Sequence, residues 1–365
     1  LPDAHHLDRN HPMPAPHFAA LTHRNSTNPS RARELAPPFR MHAPTREINT
    51  IQANRSWMEA RGNDLASPRW GERTQDLRPL VEARGSDSAS LDEAFEVLVR
   101  SGRSLPHVKE MLIPAAWENV STLDSALRAF YEYHAFLTEP WDGPAAIAAS
   151  DGRFVISGLD RNGLRPARWV ITPDIVLVAS EAGIVPEEEI RAEATGQLGP
   201  GEIIVVNLET GTHTFSAEVK RSLASRAPYP EWIRTQTNYV QDPFDERADD
   251  RFDDEALARV FGYTAEERRL ILEQMAGGHE PVLSMGHDTG LAALSEHPQR
   301  LSRFFHQAFA QVTNPPMDPI RERFVMSLRT YVGRRGSLLE ETPQQAQLTE
   351  LPSPVLSDAE VNDLT

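Results

Sequence analysis

Between residues 90 and 137 the apolar positions recur with a helical period. Leu91, Phe95, Leu98 and Val99 share one helical face, Ser90 and Glu93 stand before them in capping-box spacing, and Gly102 follows as a stop. Ser104 is placed to cap a second helix through Ile113. Thr122 opens a third that turns Leu123, Leu127, Phe130, Tyr131 and His134 toward a core. An earlier helix carrying Trp57 and Met58 follows a strand or turn within residues 47–62. Beyond residue 143 the period changes. Residues 145–149, 154–159, 168–172, 175–179 and 203–208 are short β-rich runs. Asp151-Gly152, Asn162-Gly163, Pro173-Asp174 and Gly199-Pro200-Gly201 separate them as turns. A helical group followed by closely spaced strands predicts an α+β fold, an antiparallel sheet with helices layered on it.

The last third is helical again. Thr264 and Glu267 form a second capping box before Leu270, Ile271 and Met275. Pro298 can occupy the first turn of a helix bearing Leu301, Phe304, Phe305 and Phe309, and Asp318-Pro319 opens another through Ile320, Phe324 and Leu328. After Ser337 the chain is rich in Glu, Gln and Pro and reads as extended. Residues 227–254 are rich in Pro, Asp and Gln, and their acidic cluster lacks calcium-loop spacing, so they read as a linker. The resulting division is a disordered arm over 1–20, a first domain over 21–235, a linker over 236–255 and a second domain over 256–365. His5, His6, His11 and His17 lie in the arm with no carboxylate pattern to make them a metal site, and they read as solvated.

Composition narrows the function classes. Lys and Arg total 37 against 53 Asp and Glu, a formal charge of −16, which repels phosphate backbones; no basic patch offsets it, so nucleic acid is not an expected partner. No run approaches the eighteen apolar residues of a membrane helix, so no membrane partner is expected. Cysteine is absent, which excludes disulfides, Cys-ligated zinc, iron–sulfur ligation and a thiol nucleophile among these residues. The first residue is Leu1, and no apolar segment follows a basic start as in a signal peptide; the expected compartment is cytoplasmic.

Four local patterns are more specified than a fold needs: His23-Arg24-Asn25-Ser26-Thr27-Asn28; Pro38-Phe39-Arg40-Met41 with Glu47-Ile48-Asn49-Thr50; Gly85-Ser86-Asp87-Ser88-Ala89-Ser90; and Glu139-Pro140-Trp141-Asp142-Gly143-Pro144 followed by Leu159-Asp160-Arg161-Asn162-Gly163-Leu164-Arg165-Pro166. In this order they resemble the glutamine amidotransferase domain of the glutamate synthase large subunit, a glutaminase of the N-terminal-nucleophile type. Glu280-Pro281, Ser284-Met285-Gly286-His287-Asp288-Thr289, Gln311-Val312-Thr313-Asn314-Pro315-Pro316, Asp318-Pro319-Ile320-Arg321-Glu322 and Leu338-Leu339-Glu340-Glu341-Thr342-Pro343 resemble the start of the same family's central domain. The resemblance implies a layered α-β-β-α glutaminase domain, incomplete at its N-terminus, followed by the beginning of an α/β domain.

The resemblance also implies roles. Arg24 falls where the family has the arginine that holds the carboxylate of glutamine, a task suited to a planar two-pronged guanidinium. Asp87 falls where the family has the aspartate that grips the α-amino group. Without the resemblance, these residues would equally read as a structural ion pair, or Asp87 or Ser88 as a helix N-cap. The family's nucleophile is an N-terminal cysteine, and none is present here. The family's oxyanion motif, His-Asn-Gly-Glu-Ile-Asn, is Pro44-Thr45-Arg46-Glu47-Ile48-Asn49 in this chain, so Thr45 and Arg46 stand at degenerate oxyanion positions. Losing one such donor costs about a hundredfold or more in rate. Asn162-Gly163 reads instead as a hairpin turn, with Arg161 and Arg165 pairing with Asp160 or lining a domain contact, and Trp141 and Asp142 brace a helix-to-strand junction.

Two readings follow. One is a fragment of a glutamate synthase large chain, inactive alone as a glutaminase. Its parent splits glutamine to glutamate and ammonia for reductive amination of 2-oxoglutarate. FMN and an iron–sulfur cluster are then expected in a C-terminal part of the family protein and no cofactor in this chain. The remaining domains, and the small subunit, are its partners. The other is a non-catalytic module that binds glutamine or glutamate or acts as structure.

Overall fold

The computed structural model describes residues 18–19, 39–43, 45–184, 191–240, 253–279, 281, 325–356, 360–361 and 364. The chain divides into two compact units: Leu1–Asp242 with Phe309–Thr365, and Pro243–Ala308. The histidine arm and the helix expected after Pro298 lie outside the described residues, apart from 18–19; of the helix expected after Asp318 only 325–328 are described, and 326–328, including Leu328, are not helical.

The helices of the first unit are α1 (Ile51–Arg61), α2 (Asp87–Arg100), α3 (Leu105–Leu112), α4 (Ser125–Leu137), α5 (Ser216–Ala224) and α6 (Tyr229–Gln236). Its strands are β1 (Thr45–Arg46), β2 (Ala145–Ser150), β3 (Phe154–Leu159), β4 (Arg168–Ile171), β5 (Val176–Ala179), β6 (Ala194–Gln197), β7 (Ile203–Asn207), β8 (Thr212–Phe215), β9 (Asn238–Tyr239), β10 (Thr330–Val332) and β11 (Thr349–Leu351). They form an antiparallel sheet in the order β1-β2-β3-β7-β8 and two smaller sheets, β5-β4-β6 and β10-β11-β9. The class is α+β, as the change of period near residue 143 implies.

The expected helical faces are buried. Leu91, Phe95, Leu98, Leu105, Leu112, Phe130 and Phe136 join Ile147, Ile156 and Ile203 in one core. Each such side chain contributes about 1.5–3 kcal/mol relative to an exposed one. The helix starts differ from expectation. Ser86 caps α2, accepting from Ala89 N at 3.1 Å, one turn before the expected Ser90–Glu93 box. Ser90 is buried and receives Arg55 Nε at 3.0 Å, so its hydroxyl is already engaged. Asp124, not Thr122, caps α4, because its carboxylate reaches both Ala126 N and Leu127 N.

The stretch expected to open a linker is structured through residue 239. Helix α6 buries Tyr229, and β9 runs parallel to β11. The C-terminal residues 337–351 are a strap across this unit. Ser337 bonds both backbone groups of Ala66, Arg103 donates to Glu340 O at 2.8 Å, Tyr133 to Thr342 O at 2.8 Å and Thr237 to Ala346 O at 2.9 Å. Leu338, Leu339, Ala346, Leu348 and Leu351 are buried beneath it.

The strap creates a titrating pair. Burial and the neighbouring Glu350 carboxyl of β11 push Glu132 of α4 from its ordinary 4.5 up to about 7. A carboxyl raised on folding favours the native state while protonated. That advantage is complete below about pH 4.5 and lost as pH rises toward 7. Glu132→Gln is expected to stabilise the chain by about 1–3 kcal/mol at pH 8 and to change little at pH 4.5. Urea unfolding at the two pH values checks this; equal effects at both would refute it.

The second unit is described as α7 (Asp254–Val260) and a helical run from Ala265 to Ala276. The run opens with the expected Thr264–Glu267 capping box and widens to a π-type turn at Arg268–Leu272. None of its helical residues is buried, so Leu270, Ile271 and Met275 find no core among the described residues.

Candidate functional site

Residues 41–43 and 45–49 run along the outer edge of β2. Ser150 N donates to Met41 O and Ala43 N to Ala148 O, both at 2.8 Å; Thr45 and Arg46 pair with Ala146 and Ala145; Asn49 N closes the run on Asp142 O at 2.8 Å. Gly143 stands opposite its far end with φ +152°, and a Cβ there would drive into Glu47 O. Only glycine fits this close approach.

Helix α2 holds the same segment by two carboxylates. Asp92 accepts Arg40 N on Oδ2, and Met41 N and His42 N on Oδ1, each at 3.0 Å, with His42 Nδ1 at 2.5 Å. Burial pushes the Asp92 carboxyl up, but His42 and the backbone N–H groups together hold it below its ordinary value. Asp87, in the first turn of α2, accepts Ile48 N at 3.0 Å and Ser88 N at 2.7 Å. The N-cap role considered for Asp87 or Ser88 belongs to Ser86.

Of the residues singled out in the sequence, Arg24 lies outside the described residues. Thr45 and Arg46 are described as backbone, the two residues of β1. Asp87 and the Thr45–Asn49 loop are adjacent, joined through Ile48 N–H. Arg161 pairs with Asp142, through Nε at 3.1 Å and Nη2 at 2.5 Å, not with Asp160; Asp160 instead accepts Ala145 N and Asn162 N. Trp141 is buried at the same junction. Asn162-Gly163 is not a hairpin turn, because it joins β3 to β4 and these lie in different sheets; Gly163 is needed at φ +62° against Pro200. The sequence reading missed Asp92 and His42, and it placed Gly143 in a specified pattern without giving it a role. The available signal was an acidic residue beside the apolar face of α2, buried here to 5% exposure.

Two other clusters are structural. Lys109 donates to Glu110 at 2.8 Å, and Tyr131 donates to the other Glu110 oxygen at 2.5 Å, all inside the core. His107, His134 and Glu341 gather within 4.8 Å. His134 Nδ1 donates to Phe130 O, which leaves its Nε2 to accept from His107 Nε2 at 2.6 Å. Two nitrogens about 2.0–2.1 Å from one tetrahedral zinc would stand roughly 3.4 Å apart, so this separation is a hydrogen bond. Burial holds His134 down to about 3, and burial with His134 beside it holds His107 well below 6.5, so the pair is neutral. Glu341 is occupied by Arg226 and Tyr229.

Residues 3–232 match the family model described as class-II glutamine amidotransferases, and residues 256–365 match the glutamate synthase central domain. The ferredoxin-dependent glutamate synthase of Oryza sativa subsp. japonica is 43% identical over 355 residues, covering 95% of this chain and 22% of that protein. The glutamate synthase (NADPH) large chain of Azospirillum brasilense is 43% identical over 354 residues, covering 94% and 23%. That of Bacillus subtilis is 40% identical over 345 residues, covering 93% and 23%. The chain thus spans about a fifth of the length of the curated relatives it matches.

Proposed function

This chain belongs to the class-II glutamine amidotransferases, and from that membership we propose that it is the glutamine-handling part of a glutamate synthase large chain. The parent protein would split glutamine and use the ammonia to aminate 2-oxoglutarate. Arg24 would take the α-carboxylate and Asp87 the α-ammonium. The observation that carries this reading is Asp87 itself. Its carboxylate stands in the first turn of α2, hydrogen-bonded to the loop of Thr45 and Arg46, where an amino-acid ligand would meet both. The finer architecture remains part of the proposal: a layered α-β-β-α domain over 21–235 after an arm, a linker over 236–255 whose first residues finish α6 and form β9, and the start of a central domain from 256. A cytoplasmic setting belongs to it too; no described helix is long and apolar enough to cross a membrane.

The 365 residues contain no cysteine. They therefore do not fit an iron–sulfur cluster held by thiolates, and FMN and the cluster are placed in other parts of the family protein. The remaining domains and a small subunit would be the partners. With neither a thiol nor the family's Asn-Gly pair, the purified chain is expected to release no ammonia from glutamine above a heat-inactivated control. Release well above that control would refute this. The same two absences favour a second reading, a non-catalytic module that binds glutamine or glutamate.

Both readings predict weak binding, a Kd in the millimolar range or about −4 kcal/mol. Arg24→Ala and Asp87→Ala should each weaken it about fivefold, the worth of a water-screened ionic contact. Calorimetry at millimolar ligand checks this. Unchanged affinity in both variants would remove the assigned roles, and no binding by the parent chain would leave a structural module.

A further inference from the structure

The strap, the histidine pair and the buried Lys109–Glu110 pair are parts of the core. The Asp92 cluster is different, because its partners are the backbone of the segment that leads into the proposed glutamine site. Three consecutive N–H groups and one imidazole converge on a single carboxylate that is 5% exposed. His42 cannot swing away: it is 2% exposed, stacked on Phe95 at 5.7 Å and 11°, and bridged to Ala149. Arg40 adds an ion pair to Glu96, also on α2.

We infer that Asp92 is a positioning residue for the glutamine site: it sets the Arg40–His42 backbone, and the extended run along β2 carries that setting to Ile48, whose N–H ends on Asp87. The inference rests on the reading that Asp87 receives the ligand's ammonium. The physical reason lies in the geometry of a β edge. Along such an edge, a slip of one residue turns every side chain to the other face. Pairing with β2 alone repeats along the strand and does not choose the register. The two carboxylates of α2 break that repetition. Asp92 ties the entry of the run and Asp87 its exit, both on one rigid helix. With Asp92 removed, Arg40, Met41 and His42 lose their acceptor, the entry of the run loosens, and Ile48, held only by the bonds at the far end of the run, meets Asp87 for a smaller part of the time. The Asp87 carboxylate would then be misplaced relative to Thr45 and Arg46, although neither residue had been changed.

The test uses the full chain with Asp92→Asn, Asp92→Glu and, as control, Leu223→Ala, a core truncation in α5. The readouts are amide hydrogen exchange and glutamine affinity by calorimetry, at a temperature where all variants are folded. In Asp92→Asn, exchange at Arg40, Met41, His42 and Ile48 is expected to rise about tenfold or more, and the glutamine Kd about fivefold. The control, with a comparable fall in Tm, should leave both unchanged. Asp92→Glu keeps the charge but moves the carboxylate by a methylene, and should show the same pattern more weakly; it serves if the Asn variant does not fold. Acceleration that stops at His42, with Ile48 as protected as in the parent, overturns the inference. So does a glutamine Kd equal to the parent's. If the parent chain binds no glutamine, it is the reading of Asp87 that fails, and Ile48 exchange alone then decides for or against positioning by Asp92.

Discussion

Lys109→Met is expected to destabilise the first unit by about 3–5 kcal/mol, the range for breaking a buried pair by removing one partner. Lys109 and Glu110 are adjacent on α3 and both wholly buried, with Lys109 Nζ donating to Glu110 Oε1 at 2.8 Å. Burial lowers the Lys109 ammonium; burial also pushes Glu110 up, but the Lys109 charge overcomes it and holds the carboxyl below its ordinary value. Without the ammonium, Glu110 keeps the Tyr131 hydroxyl and the charge of Lys220, and burial then drives it toward taking up a proton. The sign of the pH dependence then reverses. In the parent, a lowered Glu110 contributes stability above its unfolded pKa of 4.5, and this is lost as pH falls. In the variant, a raised Glu110 favours the fold only while protonated, so stability is lost as pH rises. The double variant Lys109→Met, Glu110→Met should recover most of the loss, leaving about 1–3 kcal/mol for the orphaned Tyr131 hydroxyl. Urea unfolding at pH 5 and pH 8 measures all three. A single variant within 1 kcal/mol of the parent would mean that the pair is solvated or already neutral.

The sequence pattern was informative where periodicity and burial coincide. Leu91, Phe95 and Leu98 define one face whatever the tertiary context, and α2 lies where that face requires. Helix starts were less legible because several polar residues compete for each cap. Ser86 precedes Ser90, and Asp124, whose carboxylate reaches two N–H groups, displaces Thr122. Strand β6 was missed because Ala194–Gln197 carries no β-branched or aromatic signal beyond Thr195, and is a strand only through its pairing with β4. The strap was hidden by composition: Leu338, Leu339, Leu348 and Leu351 are diluted among Glu, Gln and Pro, and the strap docks on a surface that includes residues more than two hundred positions earlier, such as Ala66, Arg103 and Tyr133. In the candidate site, Asp87 was singled out by resemblance alone. Asp92 was not, because a carboxylate that serves backbone N–H groups needs no partner visible as a residue type.

Gly143→Ala is expected to cost about 3–5 kcal/mol, from roughly 1–3 kcal/mol of backbone strain and a similar amount of overpacking, and to abolish measurable glutamine binding. At φ +152° residue 143 lies in a region that side chains with a Cβ rarely adopt, so alanine is strained before any contact is counted. Its Cβ would then meet Glu47 O, Glu47 C and, at 3.0 Å, Asn49 N. All of these are backbone, and that backbone cannot step aside. Glu47 N is bound to Pro144 O at 3.2 Å, Asn49 N to Asp142 O at 2.8 Å, and Ile48 N between them to Asp87. Relief requires releasing at least one of these bonds, and each release moves the loop of Thr45 and Arg46 away from Asp87. Stability and ligand binding should therefore fall together here, whereas Leu223→Ala should lower stability alone. The comparison is made by thermal unfolding and by calorimetry with glutamine below the transition. If Gly143→Ala binds glutamine like the parent at a temperature where it is folded, the Glu47–Asn49 backbone is not part of the ligand site, and the placement of the site between β1 and α2 is wrong.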